Sequence, residues 1–260
     1  MKISLIVSTY NSPAFLRLCL ESILRQKRMP DEVLVADDGS TTETSELVAS
    51  YAKFFPVPLI HIWHEDKGFR LAAIRNKAIL ASKSEFIIQI DGDIILDSLY
   101  VNDYATNAKE GFFYSGSRAF ISEERTHQMM DDTNVDLHFY SKGIRSRENA
   151  IRIPLLSPFF YTHKRLNGCS LGFWRKDLFS VNGYDEDMVG WGAEDHDIAD
   201  RLRRLGIIQK HLKFQAIQYH LYHKANSRDA ISHHMQILED NRRNNIVRCR
   251  NGLYSTCRTD

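Results

Sequence analysis

The sequence predicts an α/β fold, a mostly parallel central sheet flanked by helices. Three observations lead there. Short β-rich runs alternate with helix-like segments through the first hundred residues. The strand-like runs are apolar along their length, as in strands buried on both faces. Polar turns bearing Asp and Gly follow those runs, and in such sheets ligands gather at the carboxyl ends of the strands.

Taken in order, Ile3 to Ser8 is the first apolar strand. Ser12 and Pro13 supply an N-cap and a first-turn proline to a helix carrying Phe15, Leu16, Cys19, Leu20, Ile23 and Leu24. Glu32 to Ala36 is the second strand, and Thr41 to Tyr51 a helix with Leu47, Val48 and Tyr51 inward. Leu59 to Trp63 is the third strand, Arg70 to Ala81 an alanine-rich helix, and Glu85 to Ile90 the fourth strand. Arg118 to Arg165 mixes charges and histidines and reads as long loops and short helices. An ordered block runs from Leu166 to about His223, with a helix from Ile198 that Gly206 closes. Between Asp229 and Arg250, Ile231, Met235 and Leu238 fall at helical spacing, beside Arg242, Arg243, Arg248 and Arg250.

Composition narrows the function. Of the 260 residues, 43% are hydrophobic, which fits a globular chain, and a net charge of +1 gives no global reason to expect nucleic acid. The four cysteines, Cys19, Cys169, Cys249 and Cys257, form no close pair and read as free thiols of a reducing compartment. The opening apolar run is too short for a signal peptide, and no stretch approaches about 20 apolar residues. A cytoplasmic protein is expected.

The chemistry gathers on the predicted rim. Asp91-Gly92-Asp93 ends the fourth strand, and two carboxylates one residue apart suit a hard cation that also holds phosphates. Asp37-Asp38-Gly39-Ser40 ends the second strand, where a carboxylate can accept an imide N–H. Lys67, Arg70 and Arg75 supply cations at a helix start, a place to receive a diphosphate. His220 and His223 follow an apolar segment and can complete a metal ligand set with Asp93. Downstream, Gly190-Trp191-Gly192-Ala193-Glu194-Asp195 joins an indole to carboxylates. An indole can carry a sugar ring, and Asp195 or Glu194 can deprotonate a hydroxyl.

Ile6-Val7-Ser8-Thr9-Tyr10-Asn11, the Asp37–Ser40 turn and Asp91-Gly92-Asp93 resemble the opening of family-two glycosyltransferases of the GT-A, or nucleotide-diphospho-sugar transferase, fold. Asn167-Gly168-Cys169-Ser170-Leu171-Gly172-Phe173, continuing to Asp195, is similar to the C-terminal part of β-1,4-galactosyltransferases and related N-acetylgalactosaminyltransferases. The resemblance implies inverting, single-displacement transfer of a hexose or N-acetylhexosamine from a UDP-sugar, with Mn2+ or Mg2+ as cofactor. The acceptor is then a saccharide or lipid-linked saccharide, in cell-surface polysaccharide synthesis.

Carried over residue by residue, Asp38 binds uracil, and Thr9, Tyr10 and Asn11 line the nucleotide. Asp91 and Gly92 lie by the ribose and metal, and Asp93 with His223 and His220 ligates the metal. Asp195 is the base, with Glu194, Trp191, Gly192, Gly168 and Cys169 around the sugars. The resemblance divides the chain into a nucleotide-sugar-binding half (1–117), an acceptor-binding and catalytic half of the same domain (118–225) and a basic helical tail (226–260). The tail is read as resting on anionic lipid at the inner face of the membrane, or as a solvated face or dimer contact. Ala193 stands where a glycine is common, and His196 interrupts the acidic run. A nucleotide-sugar-forming nucleotidyltransferase is the rival enzyme, though Tyr10-Asn11-Ser12-Pro13 lacks its glycine-rich loop. An inactive sugar-binding domain is the non-enzymatic alternative.

Overall fold

A computed structural model describes residues 1–132, 136–160, 166–224 and 229–256. Cys257 lies outside them. The first half runs β1 (Ile3–Thr9), α1 (Pro13–Leu24), β2 (Glu32–Asp37), α2 (Thr42–Ala52), β3 (Leu59–Trp63), α3 (Leu71–Ala81) and β4 (Phe86–Asp91). It continues through β5 (Ile94–Leu96), α4 (Tyr100–Asn107), β6 (Phe112–Ser115), β7 (Ser117–Ile121), α5 (Glu123–Asp131) and β8 (Ile144–Arg145). The remainder is β9 (Ser170–Trp174), α6 (Arg175–Ser180), α7 (Glu194–Arg204), β10 (Ile208–His211), β11 (Ile217–His220), α8 (Ile231–Arg243) and α9 (Leu253–Thr256).

Seven strands form the main sheet in the order β10-β6-β9-β4-β1-β2-β3. All its pairs are parallel except those that β9 makes with β4 and β6. β1, β2 and β4 carry apolar side chains into two clusters, one on each face. Leu5, Val7 and Ile88 pack with α1 on one side, and Ile6, Leu34 and Ile87 with α3 and α7 on the other. Burial on both faces is why these strands read as unbroken apolar runs. Register then aligns the rim: Ser8 pairs with Asp91 and Thr9 with Asp37.

A second sheet, β5-β11-β7-β8, stands beyond the DGD turn and is the main departure from the expected loops of 118–165. β11 pairs antiparallel with β5, so that His220 faces Ile94 and the Leu221 amide donates to the Asp93 carbonyl at 2.9 Å. That pairing carries the end of β11 to the DGD turn.

One further expectation is corrected. α7 begins at Glu194, so the acidic pair occupies its first turn, where the helix dipole favours carboxylates. The basic tail packs along the domain while the side chains of Arg242 and Arg243 stay more than half exposed. Arg242 pairs with Asp200 at 2.6 Å, Arg248 donates to the carbonyls of Phe179 and Ser180, and Leu253 is buried. Among the described residues no helix is long and apolar enough to cross a membrane.

α7 is fixed by an ion pair with no exposure on either partner. Asp197 accepts from the Arg201 Nε at 2.7 Å and from the Asn241 side chain of α8 at 2.9 Å. Removing one partner leaves a buried charge uncompensated. Asp197→Ala is expected to lower stability by about 3–5 kcal/mol, read from urea unfolding.

Candidate active site

The site is organised around Arg75, which α3 turns into the protein until its side chain is 1% exposed. Its guanidinium reaches Asp91 Oδ1 at 3.0 Å, Glu194 Oε1 at 3.1 Å and Asp195 Oδ1 at 3.0 Å, while Nε donates to Ser8 Oγ at 3.3 Å. One cation thus joins the end of β4 to the first turn of α7. Burial works against its charge, but Asp195, Asp91 and Glu194 outweigh that and hold its pKa above the ordinary arginine value. The sequence predicts that Arg75 receives a diphosphate; in the structure its donors are engaged by carboxylates of the chain.

Asp195 has a pKa raised to about 6, mainly by burial, with Arg75 pulling the other way. Burial likewise raises Asp91 against the pull of Arg75. Asp195 reaches its position because residue 168 has no side chain: a Cβ there would lie 1.5 Å from Asp195 Oδ2. Among the described residues the second oxygen of Glu194 is buried without a hydrogen-bond partner.

On the other side of the DGD turn, Asp93 meets His223 Nε2 at 3.0 Å and His220 Nε2 at 3.7 Å. One ligand atom from each of the three lies within 4.8 Å of the others. The tautomers follow from the backbone. His220 Nδ1 faces the Leu221 carbonyl at 2.7 Å and His223 Nδ1 the Lys224 carbonyl at 2.8 Å. A carbonyl only accepts, so each Nδ1 carries a proton and each neutral ring turns a lone pair toward Asp93. Among the described residues Asp93 Oδ1 is buried without a hydrogen-bond partner. Lone pairs converging on a carboxylate require a cation, either a proton or a metal. The proton's hold shows in His223, whose pKa the hydrogen bond to Asp93 lifts to about 9. Imidazole and carboxylate ligands suit Mn2+ and accept Mg2+ less readily.

The nucleotide-side residues fall along the rim with mixed roles. Asp38 is buried and accepts from His64 Nε2 at 2.6 Å and the Arg70 amide at 2.8 Å, leaving lone pairs on both oxygens. Asn11 ties the loop after β1 to the next loop, its Oδ1 accepting from the Thr41 amide. Tyr10 is exposed and donates to Asp66, and Thr9 is buried at the end of β1. The other expected diphosphate cations turn elsewhere: Lys67 pairs with Glu65 and the Arg70 guanidinium bonds the Glu65 carbonyl.

Trp191 is 37% exposed on a loop whose Gly190, Gly192 and Ala193 all have left-handed backbones, at φ 104°, 103° and 71°. That conformation suits the glycines and is strained in Ala193. The loop is held by Gly190 donating to the Phe69 carbonyl and by His234 of α8, whose ring nitrogens meet the carbonyls of Gly192 and Val189 at 2.5 and 3.1 Å. The Cys169 thiol is buried and faces Arg118 and Gln218, with a pKa that burial pushes up to about 12. Sequence reading missed Ser8, His64, Arg118, Gln218 and His234. Only the first offered a signal, by its place beside Thr9 at a strand end.

The model of glycosyl transferase family 2 matches residues 4–168, and that of the N-terminal domain of galactosyltransferase matches residues 157–224. Validoxylamine A glucosyltransferase of Streptomyces hygroscopicus subsp. limoneus is 27% identical over 79% of this chain and 48% of its own length. Chondroitin synthase of Escherichia coli is 24% identical over 84% of this chain and 34% of its own. The chain thus spans less than half the length of these curated relatives. TarS of S. aureus, solved as residues 1–349 with UDP, superposes with a TM-score of 0.63 over 98% of this chain and 68% of that one, at 18% identity. The mannosyltransferase PcManGT from Pyrobaculum calidifontis, solved with GDP-Man and Mn2+, gives 0.58 over 92% and 60%, at 21% identity. These likenesses establish the fold as the GT-A arrangement.

Two expectations follow from the geometry. Gly168→Ala should push the Asp195 carboxylate off Arg75 and lower turnover on the order of a hundredfold, as measured misplacements of about an ångström do. Steady-state rates beside a thermal unfolding curve check that the loss exceeds any loss of fold. Adding Mn2+ at pH 7 should release about one proton per site, because metal displaces the proton shared by His223 and Asp93. Affinity should rise with pH toward about 9. Calorimetry in two buffers of different ionisation enthalpy reads the release, which His223→Ala should abolish.

Proposed function

The chain belongs to glycosyl transferase family 2, and on that premise we propose that it moves one hexose or N-acetylhexosamine from a UDP-sugar to a hydroxyl of a saccharide or lipid-linked acceptor, with inversion. One arrangement carries the reading. A carboxylate with a raised pKa and a three-residue cation site flank the same DGD turn, and Arg75 links that turn to the carboxylate.

In the proposed reaction the acceptor hydroxyl oxygen attacks the anomeric carbon from the face opposite the diphosphate. A new C–O bond forms, the bond to the diphosphate oxygen breaks, and the hydroxyl proton passes to Asp195. Arg75 holds Asp195 and Asp91 apart and oriented. Trp191 offers its exposed ring to a sugar, and Asp38 retains lone pairs for an imide N–H. A divalent cation held by Asp93, His220 and His223 would neutralise charge gathering on the departing diphosphate. The Mn2+ and GDP-Man in the PcManGT structure and the UDP in that of TarS support a metal and a nucleotide sugar here. The chondroitin synthase relative supports a place in polysaccharide synthesis.

Asp195 works as a base only when ionised, so activity should be present above about pH 6 and fall as pH drops through that value. Asp195→Asn should lower turnover on the order of a hundredfold and remove that acid limb, with UDP affinity retained. The measurement is UDP release with Mn2+ across UDP-galactose, UDP-glucose and their N-acetylated forms, at several pH values. Near-normal turnover in the variant would sink the role of Asp195. Pyrophosphate release from UTP and a sugar phosphate would favour a nucleotidyltransferase.

A further inference from the structure

The transferase reading leaves one cation of the site without a task. Arg118 lies on β7, where register pairs it with Gln218 of β11 and pairs Phe120 with His220. Paired residues and residues two apart share a face of a sheet. Arg118, Phe120, Gln218 and His220 therefore form one surface, running from the cation site back along the second sheet. Their side chains are in contact: the Arg118 guanidinium lies 5.0 Å above the Phe120 ring, and that ring lies 5.8 Å from His220.

The inward-turned Arg75, Arg152 and Arg201 each bind a carboxylate of the chain. Arg118 meets no carboxylate among the described residues. Among the described residues its guanidinium donates to the Cys169 sulfur at 3.3 Å, a weak acceptor that also takes the Gln218 amide at 3.1 Å. Gln218 is fully buried, and among the described residues its Oε1 has no hydrogen-bond partner. Cys169 follows Gly168, the residue that touches Asp195, and its thiol senses Arg118, Asp91 and Asp93 together. A planar fork of donors, partly exposed and among the described residues without a counter-ion, is thus linked through Phe120 to His220 and through Cys169 to Gly168.

We propose that Arg118 binds an oxyanion of the sugar-nucleotide donor, either the diphosphate or a carboxylate carried by the sugar. This assignment rests on the transferase reading. The fork matches both groups through paired N–H···O bonds, and such charge-assisted bonds are the strong ones. Phe120 fixes the stem of the interaction by lying under the guanidinium, while Gln218 and Cys169 hold its inner edge.

The test uses the full chain with Mn2+ and calorimetric titration of UDP, UDP-glucose and UDP-glucuronate into wild type, Arg118→Gln and Arg118→Lys. Weakening of UDP itself by about tenfold in Arg118→Gln, partly restored in Arg118→Lys, supports the diphosphate as the group held. Unchanged UDP affinity with a loss of about tenfold in the preference for UDP-glucuronate over UDP-glucose supports the sugar carboxylate. Affinities within twofold of wild type for all three probes overturn the assignment and leave the transferase reading intact. Failure of wild type to bind any of them overturns that reading, and this assignment with it. Should Arg118→Gln not fold, Arg118→Lys decides, since it keeps the charge and loses the fork: weakened binding supports the proposal and wild-type binding overturns it.

Discussion

Three carboxylates from two distant elements meet at one buried guanidinium, and the rest of the site is arranged by that meeting. Asp91 comes from the sheet, and Glu194 and Asp195 come from a helix more than a hundred residues later. Without a cation among them, the carboxylates would repel and the first turn of α7 would have no reason to approach the rim. Buried ion clusters seldom add net stability, because desolvation offsets the attraction. What the Arg75 cluster supplies is position. It locks the end of β4 to α7 and sets how readily Asp195 gives up or takes a proton. Burial and the guanidinium act on that carboxyl in opposite directions, and the outcome leaves it near the middle of the useful range.

The other half of the site is held by backbone carbonyls rather than by a charge. Each histidine is pinned through Nδ1 to a neighbouring peptide oxygen, which decides the tautomer before any ligand arrives. The two halves share the three residues of the DGD turn. Its first carboxylate answers to Arg75 and its second to the histidines, so a single turn between β4 and β5 serves two separate clusters of charge. The antiparallel pairing of β5 with β11 makes this division possible, since it delivers His220 to the side of the turn away from Arg75.

Much of this was legible in the residues. Apolar runs identified β1 to β4, and the rule that ligands gather at strand ends placed Thr9, Asp38 and Asp91 on one rim. The acidic pair with the late histidines pointed to two cooperating sites. Other parts were closed to such reading for identifiable reasons. Charge says nothing about direction, so Arg75 looked like a diphosphate ligand when the rotation of α3 turns it inward. β7 escaped notice because its site-facing residues are Arg118 and Phe120, which break the apolar pattern of a buried strand. The start of α7 was set too late because glycines and acids together read as loop. Arg242 and Arg248 gave no sign of their partners, which lie 42 and 68 or more residues back in the chain.

The His234 clasp changes what kind of object the C-terminal segment is. By composition the chain divides near residue 225, and an exchange of modules between related enzymes would naturally be cut there. Such a cut would separate the Val189–Gly192 carbonyls from the ring that gathers them, and Asp197 from Asn241. The C-terminal segment and the loop bearing Trp191 therefore form one inheritable unit. Variation along α8, on the outside of the molecule, reaches the loop that presents the indole through two hydrogen bonds.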